Sequence, residues 1–201
     1  MVKNVLLVRG YGQLHEDRWQ VYEAGYARGR GLHVAYPEDI PDFVDGVSPK
    51  VQAFREFILE VIGRDGLEPD RTVVLAHSLG GNGWLRILQE REDLRACLTI
   101  FLGTPRDNRT GLEKINDFFP TPDLELTEEE RQKILVVGSN NDSVICEPPS
   151  VLGEHLSTVH LTIPGAGHFM PRVLHQNPTE MDLGAEWGMV RQLISRLHLP
   201  Y

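Results

Sequence analysis

Val73-Val74-Leu75-Ala76-His77-Ser78-Leu79-Gly80-Gly81 is an apolar run that stops at a serine, with two glycines opening an amphipathic segment behind it. Strand, sharp turn and helix in that order form a nucleophile elbow, in which a strained bend lifts a serine hydroxyl clear of the backbone. Such a bend needs small residues two before and two after the serine, so that strand and helix approach closely. Ala76 and Gly80 fill those places, and the alanine departs from the usual glycine by one methyl group. A serine hydroxyl is a weak nucleophile until a base removes its proton and a third group orients that base. The stretch therefore demands a histidine and a carboxylate elsewhere in the chain.

Outward from the elbow, short apolar runs alternate with helical patterns. Strands are expected at 4–8, 32–36, 72–75, 96–102, 134–137 and 158–163. Their hydrophobicity is continuous rather than alternating, which fits strands covered on both faces. Between them, Trp19, Tyr22 and Tyr26 share one helical face that stops near Gly29 and Gly31. A second helix is expected behind Ser48 as cap and Pro49 as first residue, with Val51, Phe54, Phe57, Ile58, Val61 and Ile62 at helical spacing. A third follows Ser78 with Trp84, Leu85 and Leu88, and a C-terminal one carries Val190, Leu193, Ile194 and Leu197. The pattern predicts a single α/β domain over 1–201, with a mostly parallel sheet of about six strands flanked by helices on both faces.

The segment 105–131 breaks the alternation with Pro105, Pro120, Pro122 and Glu128-Glu129-Glu130, leaving Phe118-Phe119 as its one strongly apolar pair. It reads as an excursion above the sheet, either a lid or acyl-pocket wall or a purely structural loop. Thr127 and Glu130 within it have the spacing of a capping box.

Bulk properties narrow the function classes. With 20 basic against 29 acidic residues the net charge is −9, which argues against nucleic acid and anionic membranes as partners. No apolar run approaches the roughly 20 residues of a membrane span. The N-terminal Val5-Leu6-Leu7-Val8 run is too short for a signal peptide and reads as a buried strand, so the cytoplasm is the expected compartment. Cys97 and Cys146 make no disulfide framework. His155 and His160 lack carboxylates or thiolates at metal-ligand spacing, and Gly80-Gly81-Asn82-Gly83 lacks the Gly-Lys-Ser/Thr of a phosphate loop. Neither a metal nor another cofactor is expected.

In open α/β sheets ligands sit beyond the carboxyl ends of the strands, so the partners of Ser78 should follow later strands. Gly138-Ser139-Asn140-Asn141-Asp142 leaves the strand at 134–137 and offers a carboxylate. Pro164-Gly165-Ala166-Gly167-His168 leaves the last strand and ends on a histidine. The order Ser78, Asp142, His168 is the chain order of hydrolases built on this elbow. His168 is the expected general base and Asp142 the group that orients it, with Asp107 as the fallback acid. For the oxyanion, one donor is expected from the Leu79 N–H at the start of the helix. The other comes from the loop after the first strand, with Tyr11 favoured and Gly12 close behind. Phe118, Phe119 and Phe169 are the candidate pocket walls. His77 reads as packing beside the site.

With these residues assigned, the chain resembles the small serine α/β-hydrolases of the retinoblastoma-binding-protein-nine and YdeN type. The likeness rests on Leu7-Val8-Arg9-Gly10-Tyr11-Gly12, Trp19, His77-Ser78-Leu79-Gly80, the Gly138–Asp142 loop, Gly167-His168-Phe169 and the length of 201 residues. It implies a compact serine hydrolase acting on acyl esters. Ala76 departs from the pattern, and the Leu-x-Cys-x-Glu motif of retinoblastoma binding is absent, so that role is not carried over. The expected activity is hydrolysis of a small ester or thioester, of carboxylesterase type, through an acyl-enzyme. A weakly catalytic binding or regulatory module is the rival reading, and acyl transfer would use the same residues.

Overall fold

The structure is a computed structural model that describes residues 2–12 and 19–169. Its strands are β1 (Asn4–Val8), β2 (His33–Ala35), β3 (Thr72–His77), β4 (Leu98–Leu102), β5 (Ile134–Ser139) and β6 (Val159–Ile163). Its helices are α1 (Trp19–Gly29), α2 (Val51–Arg64), α3 (Leu79–Glu90), α4 (Glu128–Gln132) and α5 (Pro149–Leu156). The six strands form one parallel sheet in the order β2-β1-β3-β4-β5-β6. Every carboxyl end therefore points to the same edge, where β3, β5 and β6 deliver their following loops.

The unbroken apolar runs are explained by two cores, one on each face. Leu6, Val8, Val74, Ala76, Phe101, Ile134 and Val136 face one core, which also takes Phe54 and Ile58 of α2, Trp84 and Leu88 of α3, and Leu152 and Leu156 of α5. Their strand neighbours Val5, Leu7, Val73, Leu75, Ile100, Leu102, Leu135 and Val137 face the other, against Ala24 and Ala27 of α1. Alternate side chains of a strand point to opposite faces, so a strand covered on both faces is apolar at every position. Helices thus flank both faces. The Trp19 and Tyr22 side chains and the helix read over Val190, Leu193, Ile194 and Leu197 lie outside what is described.

One local reading needs correction, and one helix has no signal in the sequence. Helix α2 does not begin at Ser48 and Pro49. It begins at Val51, and the Val51 N–H donates to the Asp117 carboxylate at 2.8 Å, so its cap comes from 66 residues away. The short helix α5 carries a proline at its start and a glycine inside it, and its apolar positions are too few to stand out in the sequence. The capping box at α4 is present as expected, with the Thr127 hydroxyl and the Glu130 carboxylate each holding the other's backbone N–H. Among the described residues no helix is long and apolar enough to cross a membrane.

Candidate active site

Ser78 stands between β3 and α3 with φ 51° and ψ −131°, a strained conformation for a residue with a side chain. The surrounding sheet over-determines it: the Ser78 N–H donates to the Leu102 carbonyl at 2.9 Å, and its own carbonyl accepts from Gly81. Close approach is concentrated behind the serine. A Cβ on Gly80 would lie 2.2 Å from the Arg9 carbonyl oxygen, which no side chain can satisfy, whereas Ala76 is buried without such a conflict. The off-pattern methyl sits in the core, and the strict requirement falls on Gly80. At Gly83 the helix approaches Phe54 equally closely, with 2.3 Å left for a Cβ. The glycines that resembled a phosphate loop are packing surfaces.

Asp142 and His168 reach Ser78 from the loops after β5 and β6. The His168 Nδ1–H donates to Asp142 Oδ2 at 2.7 Å, and the Ser78 hydroxyl donates to His168 Nε2 at 3.0 Å. A carboxylate only accepts, so the proton of the neutral imidazole belongs on Nδ1 and the Nε2 lone pair faces the serine. The other carboxylate oxygen, Oδ1, accepts from the Val144 and Ile145 amides, both at 2.9 Å. Burial pushes the Asp142 carboxyl up, but the hydrogen bond and charge of His168 and the two amides outweigh it, and the net shift is downward. The carboxylate is thus held ionised beside the imidazole. Asp107, the fallback acid, lines the cavity in front of the serine and makes no hydrogen bond to His168.

That cavity measures about 190 Å³ and opens over Ser78, Leu79 and His168. Tyr11 and Gly12 form one wall and Val144 and Ile145 another, while Leu112, Ile115 and Phe119 come from the excursion. Among the described residues, no bond from the Leu79 or Tyr11 N–H to a backbone acceptor in a turn or loop is present. Gly12 differs: its N–H is turned to the Phe43 carbonyl at 3.4 Å.

Of the three aromatic residues expected to wall the pocket, Phe119 alone does. Phe118 is fully buried, packed edge-on against Phe43 and Phe54. Phe169 is buried in the core on the other face of the sheet. Phe118 ends a 3₁₀ turn over Glu113–Phe118 and Phe119 leaves it in an extended conformation, so the pair divides between core and pocket.

The excursion is tied down along its length. Asn82 Nδ2 of α3 donates to the Pro105 carbonyl at 2.8 Å and to the Thr121 hydroxyl at 3.1 Å, holding its start and a point within it together. The Arg106 N–H donates to the buried Glu147 carboxylate at 2.9 Å. Asp117 bonds the first N–H of α2 and Phe118 lies in the core, so the excursion is held at several points where it lines the site. Asn82, Asn140 and Asn141 carry no assigned role in the sequence. Asn140 Oδ1 accepts from Gly165 N–H at 3.0 Å and Asn141 Oδ1 from Gly167 N–H at 2.8 Å, so the acid loop holds the histidine loop. The signal was present as two asparagines ahead of Asp142, but nothing in the sequence says which backbone they meet. Among the described residues, no group of three or more His, Cys, Asp or Glu side chains is arranged to hold a metal ion.

His77, beside the serine, is fully buried, and its ring lies 4.8 Å from that of His168. Burial, reinforced by the charge of His168, pushes its imidazole down to about 3. The unfolded chain binds a proton at this side chain from about pH 6.5 downward, while the folded chain does not until about pH 3. The stability tied to His77 is therefore intact above pH ~6.5 and is lost progressively as pH falls toward ~3. Asp142 acts in the same direction only below about pH 4, where unfolded carboxyls begin to protonate. Thermal midpoints measured between pH 7 and pH 4.5 should fall for the native chain and fall distinctly less for His77→Gln, which has no proton to take up. Equal slopes would contradict the buried, neutral imidazole.

No family model and no curated protein sequence matches this chain. Solved structures do. The ydeN gene product of B. subtilis superposes with a TM-score of 0.66 at 18% identity, over 84% of this chain and 89% of that one. MGS-MChE2, an α/β hydrolase enzyme from the metagenome of lagoon sediments of Mar Chica, Morocco, gives 0.63 at 15% identity, over 99% and 93%. A carboxylesterase structure from the ammonia-oxidizing thaumarchaeon Nitrososphaera gargenis gives 0.65 at 10% identity, over 99% and 91%. At these identities the likeness is one of architecture. A parallel sheet in the order β2-β1-β3-β4-β5-β6, with a strained serine turn leaving β3 and these structural neighbours, gives the chain the α/β-hydrolase fold in its small, YdeN-like form.

Proposed function

We propose that this protein is a serine hydrolase of carboxylesterase type, cleaving a small ester or thioester through an acyl-enzyme on Ser78. The observation that carries the reading is the unbroken relay from the Ser78 hydroxyl through His168 to Asp142, at 3.0 and 2.7 Å, opening on an apolar-walled cavity. In it, Ser78 Oγ attacks the substrate carbonyl carbon as His168 Nε2 takes the hydroxyl proton. The negative charge passes to the carbonyl oxygen, where the Leu79 and Tyr11 amides stand as donors. Asp142 stabilises the imidazolium and holds its tautomer. His168 then returns the proton to the departing alkoxide or thiolate oxygen or sulfur, leaving the acyl group on Ser78. A water deprotonated by His168 attacks the ester carbonyl, and collapse restores the serine. An α/β hydrolase enzyme and a carboxylesterase among the structural neighbours support hydrolysis as the reaction class.

At about 190 Å³ the cavity is smaller than a pocket for a drug-sized ligand, and the excursion that closes it is pinned at several points. Short acyl groups follow. In a series of p-nitrophenyl esters, the acetate and butyrate should exceed the octanoate in kcat/KM by about 10-fold or more, a difference that a pocket closed against further methylenes readily produces. Hydrolysis of none of them by folded protein would contradict the proposal, and a rise with chain length would contradict the short-acyl pocket.

A further inference from the structure

His77 has no step in the hydrolysis proposed above, yet it is bound to the catalytic loop. As the last residue of β3 it lies on the same strand face as Val73 and Leu75, the face that also receives Phe169. That places it under the loop carrying His168. Its Nε2 is 2.9 Å from the His168 carbonyl oxygen, and the two rings meet at 4.8 Å with an interplanar angle of 45°. A carbonyl oxygen can only accept, so His77 Nε2 carries the proton and donates. From the opposite side Gly10 closes in: a Cβ there would lie 3.1 Å from His77 Nδ1. The ring is wedged between the first loop of the sheet and the last.

The loop needs such a hold. His168 stands outside regular structure, between Gly167 at φ 56° and Phe169 at φ 54°. A side chain on a turn is placed less exactly than one on a strand or helix unless other groups fix the turn. Asn140 and Asn141 grip the amides of Gly165 and Gly167. Both contacts precede the histidine. Among the described residues, His77 is the side chain that holds the peptide of His168 itself.

We infer that His77 is a positioning residue for the reaction: by donating to the His168 carbonyl it fixes the backbone from which the catalytic imidazole spans Ser78 and Asp142. The inference rests on the hydrolase reading of those three residues. An electrostatic requirement goes with it. His168 gains a proton in each half of the reaction, and a charged group stacked on it would oppose that gain. Burial keeps His77 neutral to about pH 3, so it holds the loop without charging.

The test is steady-state hydrolysis of p-nitrophenyl acetate by the full chain and by His77→Gln and His77→Leu. A glutamine amide can restore the donor; leucine fills similar space without one. For His77→Leu, kcat should fall about 30–100-fold with KM within about 3-fold, the loss expected when a catalytic group is displaced by a fraction of an ångström to 1 Å. His77→Gln should stay within about 5-fold of the native kcat, since the donor is restored. Undiminished kcat in His77→Leu, or equal losses in both variants, would overturn the inference while leaving the hydrolase reading standing. A native chain without esterase activity would instead overturn that reading. If His77→Leu does not fold, the ring nitrogens of the native protein decide by 15N NMR. A neutral His77 protonated at Nε2 from pH 5 to 9 supports the inference, and the Nδ1–H tautomer or a charged ring overturns it.

Discussion

Ser78→Ala lowers kcat for p-nitrophenyl acetate by about 10⁴-fold or more, because the nucleophile of a triad acts as a unit with its base and its loss forfeits nearly all of the unit's contribution. The thermal midpoint should move by no more than a few degrees. The hydroxyl's one hydrogen bond among the described residues is to His168 Nε2, and the positive φ of the turn is held by the backbone bonds to Leu102 and Gly81. Alanine keeps the Cβ and the turn. A variant that loses activity and stability together would point to a structural serine, and a variant that keeps its activity would remove the nucleophile from the account.

Asp142→Asn should be nearly as costly, about 10³–10⁴-fold in kcat, for a reason that is one of proton placement. The Val144 and Ile145 amides demand an acceptor at Oδ1. An asparagine oriented to satisfy them turns its NH₂ toward His168. The imidazole must then accept at Nδ1 and carry its proton on Nε2, where it cannot take one from Ser78. Asp107→Asn is the control. That carboxylate lines the cavity without bonding to His168, and its neutralisation should change kcat by less than about 3-fold, as for a solvent-exposed, screened charge outside the relay. The reverse ranking would make Asp107 the acid.

The parts of this molecule that were legible beforehand are those that depend on short-range chemistry. Short apolar runs bounded by turn residues fit strands buried on both faces, and β1 and β4 end where those runs end, at Val8 and Leu102. A serine between an apolar run and Gly80-Gly81 has one efficient conformation, and the parallel sheet then puts the loops after β5 and β6 beside it. What escaped notice depends on contacts far apart in the chain. The cap of α2 is Asp117, and no pattern around Ser48 and Pro49 could reveal it. Phe118 and Phe119 read as one apolar feature, but the excursion's path, set by Asn82 and Glu147, sends one ring inward and leaves the other at the cavity. Phe169 follows a histidine at the site, and its sequence neighbourhood alone points it to the pocket. Its positive φ turns it back into the core. Gly12 stands close behind Tyr11 as a donor in the sequence, and the bond of its amide to the Phe43 carbonyl depends on a contact 31 residues away.

The central claim is that Ser78 carries the acyl group between two half-reactions. Rapid quenching of the native protein into acid within the first turnovers of p-nitrophenyl acetate, followed by peptide mass spectrometry, measures this directly. The account predicts one acetyl group on the peptide containing Ser78, formed with a burst of p-nitrophenol and missing from Ser78→Ala. Steady hydrolysis with no adduct at any time, or an adduct on another residue that persists in Ser78→Ala, would contradict it.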